Sequence, residues 1–125
     1  MRAKTKKSFT VKRIVANIHT EDLASARGFY GSVFGLEPIM DLGWIVTYGL
    51  QHKKMGVQVS IATQGGSGTP IPDISIEVDD IDAALKGVRK AGFPIEYGPV
   101  DEPWGVRRFY VRDPFGKLVN VLAQS

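Results

Sequence analysis

The fold of this chain is decided by the stretch PWGVRRFYVRDPFGKLVNVL, residues 103–122. Residues 106–112 are β-branched, aromatic or long side chains, which favours a strand. Residues 113–116, Asp-Pro-Phe-Gly, have the composition of a type I turn, with Asp at the first position, Pro at the second and Gly at the fourth. Residues 117–122 follow as a second strand, so the stretch predicts a β-hairpin.

This hairpin closes a unit that occurs twice in the chain. Three segments of the first half have counterparts in the second: Ile18-x-x-x-Asp22-Leu23 with Ile76-x-x-x-Asp80-Ile81, Gly35-Leu36-Glu37-Pro38-Ile39 with Gly92-Phe93-Pro94-Ile95, and Gly56-x-x-Val59-Ser60-Ile61 with Gly116-x-x-Val119-Asn120-Val121. A period of about 60 residues that is present only twice indicates a duplicated βαβββ unit and not a solenoid.

The first unit is predicted to contain one helix and four strands. Thr20 is placed as the N-cap, and Glu21 and Asp22 in the first turn suit the helix dipole. Gly35 ends the helix. The apolar stripe at helical spacing consists of Leu23, Ala26, Tyr30, Val33 and Phe34. The predicted strands are residues 11–19, 36–40, 44–50 and 57–62.

The second unit repeats this order. Asp79 or Asp80 caps a helix that Gly92 ends. Its apolar stripe consists of Ile81, Ala84, Leu85, Val88 and Ala91. The predicted strands are residues 73–78, 93–98, 106–112 and 117–122.

The length of 125 residues is that of a single domain. We predict a flexible basic tail at residues 1–10 and one domain at 11–123, which comprises repeat one (11–62), a flexible linker (63–71) and repeat two (72–123). The fold class is α+β, with two tandem βαβββ modules that form a mixed sheet.

Charge and composition exclude several kinds of partner. The net charge is +3, but four basic residues lie in the first ten, and the remainder has 12 basic and 13 acidic residues. The body therefore has no basic excess for nucleic acid. No apolar run reaches the roughly 20 residues of a membrane span. The absence of cysteine excludes disulfides and thiolate sites and is typical of a cytoplasmic protein.

Strand alternation sorts side chains onto two faces of the predicted sheet. The face away from the helices carries polar groups in an apolar setting: Asn17, Ser60, Asp73, Ser75 and Asn120. By the same alternation, further large side chains could share that face: Trp44, Tyr48, Trp104 and Arg108. These residues indicate either a concave ligand pocket or a solvated sheet face.

The chain resembles the vicinal oxygen chelate superfamily, which includes glyoxalase I, extradiol dioxygenases and bleomycin-resistance proteins. The similarity rests on Asp22-Leu23, Phe29-Tyr30, Gly35-Leu36, Val78-Asp79-Asp80-Ile81 and Asp113-Pro114-x-Gly116. It implies the glyoxalase/bleomycin-resistance fold, with a curved sheet that encloses a cavity. It does not imply one activity, since a fold supports many functions.

In the metal-dependent members of this superfamily, His, Glu or Gln ligands come from four repeat-related positions. The resemblance places these positions at Val15, Ser60, Asp73 and Asn120. Val15 cannot bind a metal, and hydroxyl and amide side chains are poor ligands for zinc, nickel or iron. His19 and His52 are not expected to substitute for them. We therefore predict no metal and no cofactor.

Without a metal, the chain is most similar to the bleomycin-resistance branch, where a drug is sequestered in a groove of a homodimer. Pro103-Trp104-Gly105-x-Arg107 resembles a segment common in that branch. The resemblance implies a small-molecule ligand. The expected contacts are stacking on Trp44, Tyr48 and Trp104, an ion pair of Asp73 with a cationic group, and an ion pair of Arg107 or Arg108 with an anionic one.

Two other functions remain open from the sequence. One is an enzyme of the same fold, either a metal-dependent glyoxalase or dioxygenase, or a metal-free enzyme with Asp73 as general base. The other is a regulatory subunit with a vestigial pocket. Trp104 could also be simple core, and the two arginines could lie on an exposed strand face.

Overall fold

A computed structural model describes residues 8–50 and 58–125 of the chain. Its strands are β1 (Val11–His19), β2 (Glu37–Asp41), β3 (Ile45–Gly49), β4 (Gln58–Ala62), β5 (Ile74–Val78), β6 (Ile95–Glu102), β7 (Val106–Arg112) and β8 (Leu118–Gln124). A π-helix (Arg27–Val33) follows β1, and an α-helix, α1 (Ile81–Lys90), follows β5. This order is βαβββ twice, so the predicted α+β duplication is confirmed.

The eight strands form one mixed sheet in the hydrogen-bonded order β2-β3-β4-β1-β5-β8-β7-β6. β1 and β4 are parallel, and the pairs β2–β3, β3–β4, β6–β7 and β7–β8 are antiparallel. Among the described residues, no helix has both the length and the apolar character that a membrane span requires.

The chain divides into two compact units, and their boundary falls inside β1. The first unit is Val15–Ser75, and the second is Ile76–Ser125 with the N-terminal segment that ends at Ile14. Thr10 N–H donates to Asp79 Oδ1 at 2.7 Å, and Asp79 N–H donates to the Thr10 carbonyl at 3.1 Å. The ring of Phe9 lies over Gly87 of α1. Phe9 and Thr10 therefore belong to the folded structure, although the predicted tail included residues up to 10.

In the first unit, the helix differs from its prediction. Ala26 is buried with Val46, Tyr48 and Ile61, and the partly buried residues packed against this core are Leu23, Tyr30, Leu36 and Val59. Val33 and Phe34, which the α-helical spacing placed in the buried stripe, are 68% and 60% exposed. A π-helix has wider turns than an α-helix, so the stripe leaves the core after Tyr30.

Thr20 is not the N-cap of this helix. Its Oγ1 accepts a hydrogen bond from Asp22 N–H at 2.9 Å, which forms a local turn. The helix begins later, and Ala26 at its N-cap makes no side-chain capping bond. Gly35 ends it as predicted, with a φ of +73° and its N–H bonded to the Gly31 carbonyl.

In the second unit, the cap and the end of the helix match their prediction, but Ala91, which the predicted stripe included, is exposed. Ala83 N–H donates to Asp80 Oδ1 at 3.1 Å, so Asp80 is the cap. Ile81, Ala84 and Leu85 are buried along one stripe. The β7–β8 hairpin places Phe109 opposite Val121, and Phe109 is fully buried.

The segment between the repeats was predicted to be a flexible linker, but it folds into a hydrogen-bonded turn. Gly65 N–H donates to the Thr69 carbonyl at 2.9 Å, and Thr69 N–H donates to the Gly66 carbonyl at 3.0 Å. A Cβ on Gly65 would lie 2.0 Å from the Pro70 carbonyl oxygen, so this close approach requires glycine.

Candidate functional site

A row of neutral polar side chains crosses the first unit on the face away from its helix. Ser60 on β4 lies opposite Asn17 on β1 and opposite Thr47 on β3. Thr47 Oγ1 and Ser60 Oγ are 2.7 Å apart, and Asn17 Nδ2 donates to Ser75 Oγ at 3.0 Å. We call these four residues the polar row. Thr47 and Ser60 are only 3% and 4% exposed, whereas Asn17 and Ser75 are half-buried, so the face is shielded from solvent at β3 and β4.

The alternation of β4 explains why Ser60 joins this row. Val59 and Ile61 contact the helix-side core, which turns Ser60 to the other face. The neighbouring strand β3 reads Ile-Val-Thr-Tyr, where apolar residues occupy both parities. Sequence reasoning therefore missed Thr47.

The predicted position of Tyr48 on the polar face is wrong. Tyr48 belongs to the helix-side core, and its ring centroid lies 6.2 Å from that of Tyr30. Trp44 comes just before β3, has the same parity as Tyr48 and is partly exposed; its carbonyl accepts a hydrogen bond from Thr63 N–H at 2.9 Å. Asp73 is exposed, and its carbonyl accepts from Asn17 N–H at 3.0 Å.

The second unit has an aromatic cluster around Arg108 on the face away from α1. Arg108 Nε donates to Glu102 Oε2 at 2.7 Å, and its Nη1 donates to the Tyr110 hydroxyl at 2.9 Å. The guanidinium carbon lies 5.4, 5.0 and 4.9 Å from the ring centroids of Tyr97, Trp104 and Tyr110. Tyr97 also donates its hydroxyl proton to Glu102 Oε2 at 2.9 Å. We call these five residues the arginine cluster. Its position follows from β7, where Arg108 and Tyr110 share one parity.

The charge of Arg108 is already balanced inside the protein. The Arg108 and Glu102 side chains are each 3% exposed. Such a pair is retained only when each ion is compensated, because removing a charge from water is costly. The expectation that Arg108 pairs with an anionic ligand is therefore not favoured by the geometry.

Arg107 lies on the opposite face of β7, so the structure does not bring the two arginines together. Its guanidinium pairs with Asp101 at 3.2 Å and approaches Asp82 of α1 at 3.9 Å. Its side chain is 35% exposed and that of Arg108 is 3% exposed, so the alternative that both arginines lie on an exposed strand face is wrong for Arg108. Asn120 is 8% exposed and lies opposite Tyr110 across the β7–β8 pair. It shares the parity of the arginine cluster.

Sequence reasoning did not find Tyr97, Glu102 and Tyr110 as partners of Arg108. The available signal was the turn at 102–105, which the Gly105 N–H closes by donating to the Glu102 carbonyl at 3.1 Å. That turn fixes the β6–β7 register and sets Glu102 opposite Val106. The irregular register between Tyr97 and Val100 could not be read from the sequence.

The donor set does not fit a catalytic metal. At the four positions that the resemblance implies, Val15 is apolar and 4% exposed, Ser60 bonds to Thr47, Asp73 is exposed and Asn120 is an amide. In the described ranges 8–50 and 58–125, no three His, Cys, Asp or Glu side chains are grouped as metal ligands. His19 pairs with Glu21 at 2.7 Å, and His52 lies outside the described residues.

A cavity of about 250 Å³ lies in the first unit, where β1 meets the helical segment. Buried Ala26 and Ile61 line it together with Phe29, which is 54% exposed. Ile61 belongs to the helix-side core, so this cavity is on the opposite side of the sheet from the polar row.

Solved structures of other proteins have a similar fold, and two of them are described here. One is described as a glyoxalase/bleomycin resistance protein/dioxygenase superfamily member from Vibrio splendidus 12B01, with 19% identity and a TM-score of 0.61 over 93% of this chain and 100% of that one. The other is methylmalonyl-CoA epimerase from Mycobacterium tuberculosis, with 16% identity and a TM-score of 0.64 over 100% of this chain and 93% of that one. At these identities, the likeness concerns the fold alone.

A curated relative gives a closer sequence match. It is the anthracycline biosynthesis protein DauV of Streptomyces sp. (strain C5), which is 31% identical over 105 residues. The match covers 82% of this chain but only 38% of the relative's length. The family profile described as Glyoxalase/Bleomycin resistance protein/Dioxygenase superfamily matches residues 11–121. The chain therefore belongs to the glyoxalase/bleomycin resistance protein/dioxygenase superfamily.

Proposed function

We propose that this protein is a metal-free binding protein of the bleomycin-resistance type, which sequesters an aromatic, antibiotic-like molecule. The observation that carries the proposal is the polar row, a set of neutral hydroxyl and amide groups on the face where metal-dependent relatives hold their ligands. Such groups bind the carbonyl and hydroxyl oxygens of an uncharged ligand. They provide neither a carboxylate nor an imidazole for a metal.

The arginine cluster supports an aromatic ligand. Two of its rings, Tyr97 and Trp104, are partly exposed and offer stacking surface, and the positive charge of Arg108 is neutralised by Glu102. A ligand that met this cluster would find aromatic area without an unpaired charge. This combination favours planar molecules over strongly ionic ones.

The relative DauV supports the ligand class. Its description places it in anthracycline biosynthesis, and anthracyclines are planar, oxygen-rich polycycles. This chain spans about two fifths of that relative's length. We therefore carry over from the relative only the kind of molecule bound, and no reaction.

We also propose that the ligand site is associated with a homodimer, as the resemblance implies. Analytical ultracentrifugation of the purified protein, with and without ligand, tests the assembly. A mass of one chain at all concentrations would contradict it.

Isothermal titration calorimetry with an anthracycline tests the binding function. We expect saturable binding, and none for an aminoglycoside, which lacks aromatic rings. Ser60→Ala should lower the affinity about fivefold, the worth of one hydrogen bond. Ser32→Ala, an exposed serine of the π-helix, is the matched control and should leave the affinity unchanged. Absence of saturable binding across a panel of planar aromatic antibiotics would overturn the proposal.

A further inference from the structure

We infer that the cavity beside the end of β1 is a second ligand site, which takes a small aryl-alkyl amine in its ammonium form. The site lies on the helix side of the first unit, whereas the polar row lies on the other side of the sheet. The inference therefore goes beyond the proposed function and does not depend on it. It rests on an apolar floor of suitable size and on one carboxylate at the mouth.

The cavity exists because the helix of the first unit begins well after the strand that precedes it. β1 ends at His19, and the π-helix begins only at Arg27. Ile18 lies opposite Ile61 in the register of β1 with β4, and Ile61 belongs to the helix-side core. Ile18 is nevertheless 40% exposed. The helix therefore leaves the last part of β1 uncovered, and the cavity lies at this place.

The floor of the cavity is apolar and large enough for one ring with a short chain. Ala26 and Ile61 in the lining are 8% and 3% exposed, and Phe29 and Tyr30 add aromatic surface. An apolar cavity of about 150 Å³ in another protein binds benzene. The volume of about 250 Å³ therefore accommodates a phenyl ring and a short alkyl chain. Because Phe29 is 54% exposed, a ring against it would remove apolar surface from water.

The mouth of the cavity carries a negative charge that no cation of the protein neutralises. Asp22 lines the cavity, and the Ser25 hydroxyl donates to Asp22 Oδ2, which orients the carboxylate. Within residues 8–50 and 58–125, no basic side chain forms an ion pair with Asp22. His19 also lines the cavity, but its Nε2 lies 2.7 Å from Glu21 Oε2. The histidine of the lining thus already has an acidic partner.

This combination selects a cation over a neutral or anionic molecule of the same shape. Asp22 Oδ1 accepts no hydrogen bond from the described residues, so it is open to an ammonium N–H. A hydrogen bond between an ammonium and a carboxylate is stronger than one between neutral groups. Because Asp22 is exposed, water screens this attraction, and we expect a modest preference.

NMR titration of isotope-labelled protein tests the site with three probes of one shape: 2-phenylethylamine, 2-phenylethanol and 3-phenylpropionate. We expect the amine to bind saturably with a Kd on the order of 1 mM, as suits a ligand with about nine non-hydrogen atoms. Its binding should shift the amide signals of Ile18, Ala26 and Phe29, which line the cavity. The alcohol should bind about fivefold more weakly, and the anion more weakly still.

Two pairs of variants separate the charge from the apolar surface. Asp22→Asn keeps an acceptor for Ser25 and should lower the affinity for the amine about fivefold without changing that for the alcohol. Its control is Glu37→Gln, an exposed carboxylate of β2 outside the lining, which should keep the preference for the amine. Phe29→Ala should weaken amine and alcohol alike, about threefold. Val33→Ala, exposed on the same helix and outside the lining, should weaken neither.

The outcomes also separate this inference from the proposed function. Amide shifts that do not saturate, or a preference for the amine that Asp22→Asn retains, would overturn the inference. Ser60→Ala alters the polar row and should leave amine binding unchanged, and a loss there would overturn the inference but not the proposed function. Saturable amine binding at the cavity with no binding of an anthracycline would overturn the proposed function alone. The amide spectrum of each variant shows whether the fold is kept, and Phe29→Ala provides the test if Asp22→Asn does not fold.

Discussion

The two repeats differ most in how their helices meet the sheet. α1 of the second repeat begins at the Asp80 cap and buries Ile81, Ala84 and Leu85. The π-helix of the first repeat has no side-chain cap, and none of its seven residues, Arg27–Val33, is buried. The first repeat instead leaves Phe29, Val33 and Phe34 more than half exposed.

The difference shows that an apolar stripe does not by itself fix how a helix is wound. The first segment contains Gly28 and Gly31, and each glycine costs about 1 kcal/mol of helix propensity relative to alanine. α1 begins with Ile-Asp-Ala-Ala-Leu, residues that form helices more readily, and has a capping carboxylate. In the second repeat, local helix propensity and packing against the sheet thus favour the same helix. The helix of the first repeat depends on its contacts with the sheet.

The polar groups of the two repeats differ in kind as well. The first repeat supplies Asn17, Thr47 and Ser60 to the neutral polar row, and the second has the buried Arg108–Glu102 pair inside three aromatic rings. Removing one partner of a buried ion pair costs more stability than removing one partner of a neutral hydrogen bond. Substitutions should therefore cost more in the second repeat.

The largest effect is expected for Arg108→Met. It leaves the Glu102 carboxylate buried without its cation, so the free energy of unfolding should fall by about 3–5 kcal/mol. Adding Glu102→Gln should recover a large part of the loss. Arg112→Met, which breaks the exposed pair of the same hairpin, should cost less than about 1 kcal/mol. Urea unfolding measures all three, and equal losses for the two arginine variants would contradict the assigned burial.

Truncation of one phenylalanine in each repeat tests the difference in core packing. Phe109→Ala removes a fully buried ring and should cost about 3–5 kcal/mol. Phe29→Ala removes a ring that is 54% exposed and should cost clearly less, within about 1 kcal/mol. Thermal denaturation followed by circular dichroism gives the comparison. A Phe29→Ala loss as large as that of Phe109→Ala would show that another surface covers Phe29.

A smaller effect is expected from the helix caps. Asp80→Ala removes the bond to Ala83 N–H and should cost about 1 kcal/mol. Thr20→Ala should cost less, because Thr20 stabilises a turn and caps no helix. Equal losses in chemical denaturation would indicate that Thr20 does cap the first helix.

The smallest effect is expected at Gly28, and it has the opposite sign. An added Cβ there would meet no atom within 4 Å, so Gly28→Ala should stabilise the protein by about 0.4–1 kcal/mol. Gly92→Ala is the contrasting variant, since Gly92 has a φ of +91° and should lose stability on gaining a side chain. A destabilised Gly28→Ala protein would show that the π-helix itself requires glycine.

The sequence alone determined the architecture, because the signals that specify it are local and occur twice. The Asp-Pro-Phe-Gly turn, the Asp80 cap, the glycines that end both helices and the alternation of β4 and β5 are each read within a few residues. The first strand was predicted with the bounds that the structure has, Val11–His19. The family also followed from these motifs and was confirmed by the profile match to residues 11–121.

Only the tertiary structure decided which side chains meet at the candidate site. β3 is apolar at both parities, so the sequence could not exclude Tyr48 or find Thr47. Alternation along β7 already separated Arg107 from Arg108, but only the structure shows that Arg107 approaches Asp82 and that Arg108 pairs with Glu102. The winding of the first helix likewise depends on a balance of weak propensities and sheet contacts. These features are set by long-range register and packing, whose energies no short segment of the chain contains.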